Sequence, residues 1–234
     1  MSLPGAAGGP LATGAEDRAR RALDLLVAIP ASILTAPLVA VLAWRIRRES
    51  PGGVLFRQVR SGLDGEPFEI FKLRTMVAGA EHIGPGLAVL EGDSRITRTG
   101  LFLRRYSLDE LPNLWNVLRG EMSIVGPRPT LLDQVERYSE HQRRRLEVRP
   151  GLTGWAQVNG RTSLPWSQRI ELDIWYVEHR SLALDLRILA MTVGMVLGGS
   201  GLYNPDVSGG VDLEQAPDTA PPDTAPPDPG PLDP

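Results

Sequence analysis

Ala22–Trp44, ALDLLVAIPASILTAPLVAVLAW, is a run of 23 residues whose only charge is Asp24. At about 1.5 Å per residue, a helix of this length reaches across a hydrocarbon core of roughly 30 Å. Its flanks argue against a simple span. Arg18, Arg20 and Arg21 precede it and Arg45, Arg47 and Arg48 follow it, so positive-inside bias draws both ends to the cytoplasmic face. Pro30 and Pro37 lie within it, and each leaves a carbonyl that needs a partner inside lipid. A helix that enters the bilayer, bends and returns to the same face meets both constraints; an ordinary single-span anchor is the alternative. A cleaved signal peptide fits less well, because no small-residue cleavage site follows cleanly.

The rest of the chain divides around this segment. The first 16 residues are rich in Gly, Ala and Pro and read as a loose N-terminus, followed by a membrane helix over 17–49, a folded domain over 50–202 and a tail over 203–234. The tail repeats PDTAP, holds seven acids and no base, and has almost nothing to bury, which predicts disorder. Its removal turns the overall charge of -3 into a body of 25 basic and 21 acidic residues, net +4. A basic body suits anionic partners, a lipid surface among them. At 234 residues the chain can bury one good core. The absence of cysteine excludes disulfides, thiolate metal sites and a Cys nucleophile. Basic charge comes from 24 arginines and one lysine, Lys72, whose survival hints that its position needs an ammonium.

Val54–Arg57 and Pro67–Leu73 read as strands joined by the Gly62–Gly65 turn, a hairpin that presents Lys72 and Arg74. Helical patterns follow over Ile96–Tyr106, Pro112–Leu118, Leu131–Leu146 and Trp166–Leu197. His141, Arg143, Arg144 and Arg145 read as a solvated or lipid-facing helix face. Leu182–Leu197 is apolar but carries Asp185 and Arg187, so it reads as an interfacial helix. The fold class is therefore mainly helical α+β, a small body docked on a membrane. Gly151 and Gly154 mark either a structural turn or a substrate loop.

The chemistry concentrates in Ser107–Pro129, SLDELPNLWNVLRGEMSIVGPRP. Ser107-Leu108-Asp109-Glu110 has the S-x-x-E pattern of a capping box, which puts two carboxylates at the positive mouth of a helix. Pro112 tolerates only a helix start, so the regular helix begins nearer Leu111. Gly120 fits the C′ position, and Ser123–Gly126 delivers Pro127-Arg128-Pro129. Two prolines fix the backbone around one guanidinium, which favours capture of a phosphate.

This segment resembles the signature of the bacterial sugar transferases, small monotopic phosphoglycosyl transferases that start glycan assembly on polyprenyl phosphate. The likeness extends to SPGGVLFRQ (50–58), FKLRTM (71–76), DSRITRTGLFLRR (93–105), RPGLTGWAQVNGR (149–161) and LDIWYVEHRSLALDLRIL (172–189), and covers about residues 18–195. It implies the re-entrant form of the membrane helix and a catalytic body on the cytoplasmic leaflet of the bacterial inner membrane. One departure lies at the bend, where relatives commonly have Ser-Pro and this chain has Ala36-Pro37, with Thr35 as a possible source of the hydroxyl. Asn113 in place of Gln and Glu121 in place of Asp are smaller departures that look neutral for the chemistry.

The resemblance further implies transfer of a sugar-1-phosphate from a UDP-sugar to undecaprenyl phosphate, with release of UMP. Asp109 matches the nucleophile and Glu110 the residue that holds Mg²⁺, while Arg128 would clamp phosphate. Lys72, Arg74, Arg95, Arg104, Asn159 and Arg161 are candidates for the diphosphate and uridine. No nucleic-acid partner is expected, homodimer formation stays open, and the identity of the sugar is not encoded in these motifs. His82, His141 and His179 lack metal-ligand spacing. A two-carboxylate glycosidase is disfavoured, because neighbouring helical residues point about 100° apart and cannot flank a glycosidic bond. A non-enzymatic membrane scaffold is the other rival, against which the intact Asp109, Glu110, Arg128 and Lys72 speak.

Overall fold

The computed structural model describes residues 14–83, 92–160 and 164–197. The acidic tail, most of the N-terminal leader and Arg161 lie outside the described residues. The fold is mainly helical, with two small two-stranded sheets.

The apolar run forms one long helix, α1 (Gly14–Glu49), that contains both Pro30 and Pro37. Among the described residues it is the one helix long and apolar enough to cross a membrane. The Thr35 hydroxyl donates to the Ala31 carbonyl at 2.7 Å, one turn back, the kind of bond that bends helices. The middle of the helix is bare, with Ile33, Leu34 and Val41 exposed, whereas both ends are tied to the body. Toward the N-terminus, Arg20 donates to Asp185 at 3.1 Å. Arg21 donates to the carbonyls of Val117 and Leu118 at 2.6 and 2.7 Å. Asp24 accepts from Ser123 Oγ and the Ile124 amide at 2.8 and 2.7 Å. Toward the C-terminus, Leu42 and Ile46 pack with Leu73 and Leu103, and Glu49 accepts from the Thr99 amide at 3.1 Å. Arg20 and Arg21, expected as charged flanks of a membrane segment, are thus bonded into the protein.

The hairpin forms as expected, with a longer first strand: β1 (Leu55–Ser61) pairs antiparallel with β2 (Pro67–Leu73). Helix α2 (Arg98–Arg105) follows, capped by Thr97, whose hydroxyl accepts from the Gly100 amide at 3.0 Å. A Cβ at Gly100 would stand 1.9 Å from the Thr75 carbonyl oxygen, so only glycine lets α2 lie this close to the chain leaving β2. Helix α3 (Leu114–Arg119) ends at Gly120, which adopts the left-handed conformation expected of it, with φ 80°. Strand β3 (Ser123–Val125) pairs parallel with β4 (Gly151–Thr153).

Two predicted helices are broken, each at a serine. Leu131–Leu146 divides into α4 (Leu132–Glu136) and α5 (Glu140–Arg143) with a 3₁₀ turn after it, because Ser139 and Gln142 form a capping box that starts a new helix. After the short α6 (Trp155–Val158), the predicted Trp166–Leu197 helix divides into α7 (Trp166–His179) and α8 (Leu182–Leu197). There Ser181 Oγ accepts from the Leu184 amide at 3.2 Å. One face of α8 is not interfacial at all, since Ile188 is 0% exposed in the main core beside Ile70, Val117 and Trp155. Leu186, Val193 and Leu197 on the same helix remain exposed.

Candidate active site

The acidic pair sits on a 3₁₀ turn, Leu108–Asn113, that runs straight into α3. The expected capping box is absent: Ser107 has φ 55° and its side chain does not cap the turn. A capping serine needs an extended backbone, and Pro112 inside the turn removes the donor that a regular helix would use. The turn is instead fixed from outside. Asn113, 3% exposed, accepts from the Phe71 amide at 3.0 Å, and the Asn116 amide donates to the Glu69 carbonyl at 2.7 Å. These two side chains use the edge of β2 that β1 leaves unpaired, much as a third strand would. Asn113, read as a neutral departure, is therefore what ties the acidic turn to the strand that carries Lys72.

Glu110 is the centre of the cluster. Its Oε1 accepts from Lys72 Nζ and from an Arg128 terminal nitrogen, both at 2.7 Å. Burial opposes its charge, but Arg128 and Lys72 outweigh burial and hold its carboxyl well below the usual range. Asp109 behaves oppositely. Burial, and then the Glu110 charge, push it up to about 6 against the pull of Lys72, Arg104 and Arg128. Two adjacent carboxylates are thus driven apart: one is locked as an anion, and the other is a stronger base that is still mostly ionised at neutral pH. Burial lowers the Lys72 ammonium, with Glu110 resisting.

The parallel β3–β4 pair delivers Arg128. The Gly151 amide donates to the Pro127 carbonyl at 2.8 Å, and the Gly126 amide donates to Thr153 at 2.9 Å. A Cβ at Gly151 would meet the Gly126 nitrogen at 2.1 Å, so Gly151, read as a structural turn or a substrate loop, is a structural glycine that lets β4 lie this close to β3. Arg104 reaches the site from α2, with Nε donating to Thr75 Oγ1 at 2.8 Å.

The remaining candidates have their contacts elsewhere. Arg74 donates to the carbonyls of Ser50 and Pro51 at 2.7 and 2.8 Å and closes the exit from α1. Arg95, 5% exposed, is bound to Asp93 at 2.6 Å and to the carbonyls of Ala80 and Ile83. The Asn159 side-chain amide, just past the end of α6, donates to the carbonyl of Trp155 at 2.9 Å. Arg145, expected on a solvated face, is 3% exposed and pairs with Asp173; its NH2 donates to the Arg128 carbonyl at 3.1 Å. No local signal in the Arg143–Arg145 run marks which arginine turns inward.

Among the described residues, no group of three acidic or histidine side chains could by itself cage a metal. Mg²⁺ does not ask for one: it is commonly held by one or two carboxylates, with waters and substrate phosphates completing the shell. The neighbouring Asp109 and Glu110 suit that mode, and the two cations bonded to Glu110 both use Oε1, leaving Oε2 to neither.

Comparison with known proteins identifies the family. The family profile described as bacterial sugar transferase matches residues 15–199. An uncharacterized sugar transferase, EpsL, from Bacillus subtilis is 44% identical over 183 residues, covering 78% of this chain and 89% of the relative. A UDP-glucose:undecaprenyl-phosphate glucose-1-phosphate transferase from Caulobacter vibrioides is 46% identical over 205 residues, 84% of this chain and 76% of the relative. The Escherichia coli protein of the same name is 40% identical over 182 residues, and the match spans 39% of its length. With the profile running from α1 through α8 and these identities behind it, the chain belongs to the bacterial sugar transferase family.

Proposed function

We propose that this protein transfers a sugar-1-phosphate from a UDP-sugar to polyprenyl phosphate and releases UMP. The observation that carries the reading is the cluster itself: Glu110 Oε1 is shared by Lys72 and Arg128 at 2.7 Å each, with Asp109 beside it on the same turn. Asp109 attacks the sugar-proximal phosphorus through a carboxylate oxygen. The bond from that phosphorus to the bridging oxygen breaks, and UMP leaves with the oxygen. A phosphate oxygen of the lipid then attacks the same phosphorus, expels the carboxylate and yields a polyprenyl diphosphate sugar. An ionised carboxylate needs no base to activate it, so no Ser-His or Cys-His pair is required.

Arg128 and Arg104 orient the phosphate oxygens, with the Arg128 backbone already fixed by its flanking prolines. Lys72 keeps Glu110 charged and in place. When bound at Glu110, Mg²⁺ supplies charge neutralisation between the diphosphate and the attacking anion.

A monotopic, same-side membrane helix completes the reading. Arg20, Arg21 and Asp24 at one end of the bare apolar stretch, and Leu42, Ile46 and Glu49 at the other, all contact the same folded body. One body cannot lie on both sides of a bilayer, so a bilayer-embedded α1 must return to the face it left. Bacterial membrane, cytoplasmic face, is the location that follows from a soluble nucleotide donor and from the exposed Arg18 before and Arg45, Arg47 and Arg48 after the apolar stretch.

The test is release of UMP by membrane-reconstituted protein over a panel of UDP-sugars with undecaprenyl phosphate. UDP-glucose comes first, since the Caulobacter and E. coli relatives carry it in their names. No UMP from any donor would refute the proposal.

A further inference from the structure

Directly opposed residues of an antiparallel pair share a face, so Arg60 and Gln58 on β1 lie on the same side of the hairpin as Phe68 and Ile70 on β2, with Lys72 next along that face. This is the inward side. Ile70 is 2% exposed, whereas Arg57, Val59 and Glu69 on the opposite side are exposed. An arginine at an inward position should be paired with a carboxylate. Arg60 is not: among the described residues its hydrogen bonds go to the neutral Gln58 Oε1, from Nε at 3.0 Å and from a terminal nitrogen at 2.5 Å.

Its surroundings sharpen the anomaly. The Ser61 amide donates to the Thr130 carbonyl at 2.9 Å, tying the end of β1 to the loop that carries Arg128. Arg60 feels Arg128 as a like charge, and the nearby Glu110 already serves Lys72 and Arg128. A half-buried guanidinium, aimed by a neutral amide and within electrostatic reach of a second guanidinium, is an arrangement that an anion would complete.

We propose that Arg60 is the second arm of a phosphate clamp with Arg128, held in its binding orientation by Gln58. The inference rests on the transferase reading above, and it names the ligand as a phosphate group of either the donor diphosphate or the acceptor lipid. Gln58 orients Arg60 without neutralising it, which a carboxylate at that position would do.

The experiment uses the full chain in nanodiscs and three variants: Arg60→Gln, Arg60→Lys and Gln58→Glu. The last leaves the guanidinium in place and quenches it with an internal ion pair, so it decides the matter even if Arg60→Gln folds poorly. Thermal midpoints are measured for all. The first arm reads UDP binding by calorimetry and single-turnover UMP release without acceptor. The second reads discharge of the loaded enzyme by undecaprenyl phosphate.

Arg60→Gln and Gln58→Glu, with unchanged thermal midpoints, should each weaken one arm by roughly ten- to a hundred-fold, and Arg60→Lys by less. Loss in the first arm assigns the clamp to the donor, and loss in the second to the acceptor. Wild-type behaviour of Arg60→Gln and Gln58→Glu in both arms overturns it. If wild type releases no UMP, the transferase reading fails, and the UDP calorimetry still tests Arg60 by itself.

Discussion

Arg145 and Asp173, 28 residues apart in the chain, form a buried ion pair beneath the loop that carries Arg128. The Arg145 guanidinium also donates to Tyr138 Oη at 2.6 Å and to the Arg128 carbonyl at 3.1 Å, and it faces the Trp166 ring with 5.5 Å to the centroid. Removing one partner strands the other charge in the interior. Arg145→Met or Asp173→Leu should each cost about 3–5 kcal/mol, whereas the apolar double variant should recover much of that loss. Its activity should stay low, because the bond to the Arg128 carbonyl is gone. Denaturant melts and kcat/KM on the same samples check this, and full recovery of activity in the double variant would reduce the pair to a structural role.

Asp109→Asn keeps the shape of the site and removes the anion proposed to attack. Turnover should fall by several orders of magnitude. Incubating wild type with UDP-sugar and no acceptor should add one sugar-phosphate mass, mapped to Asp109 by peptide analysis. An adduct on another residue, or a nearly active Asn variant, would refute the role.

Glu110→Gln replaces the anionic ligand proposed for Mg²⁺ by a neutral amide and leaves Lys72 and Arg128 without their shared counter-charge. Chelation should abolish wild-type turnover and Mg²⁺ should restore it, while the Gln variant should require far more metal. Unchanged turnover in chelator would exclude the metal.

The hairpin is legible in the sequence because apolar runs flank a glycine-rich turn, and Gly120 is legible because little else ends a helix in that way. Local pattern fails where a distant partner decides. The S-x-x-E signature at Ser107 does not form a capping box, whereas the Ser139–Gln142 pair inside a predicted continuous helix does. Arg145 is indistinguishable from Arg143 and Arg144 until Asp173 packs against it. Arg60 was within reach: counting back from Lys72 across the hairpin in steps of two puts Gln58 and Arg60 on the inward face, and two polar residues at core positions mark a site.

Asn113→Ala should cost about 1–3 kcal/mol by orphaning the Phe71 amide. Hydrogen exchange should locate the loss, with the Phe71 amide becoming fast before the β1–β2 ladder does. An unprotected Phe71 amide in wild type would show that Asn113 does not hold the acidic turn to β2.

Membrane topology can be tested with two cysteines in this cysteine-free chain. One goes at Thr13, just before α1. The other goes at Gly53 and not at Gly52, whose φ of 108° and Cβ clash with Arg74 at 2.5 Å would strain any substitution. A same-side helix leaves both thiols protected from an impermeant reagent in intact cells and reactive once the cells are opened, whereas a spanning helix exposes Thr13→Cys alone. Pro37→Leu restores a backbone donor in the middle of α1 and should favour the spanning form. That form would have to give up either the Asp24 bonds to Ser123 and Ile124 or the Glu49 bond to Thr99, since the ends of a spanning helix cannot share one body. Labelling of Thr13→Cys in intact cells should therefore rise in the Pro37→Leu background together with a fall in turnover. Labelling at Thr13 in the Pro37 protein itself would overturn the same-side topology.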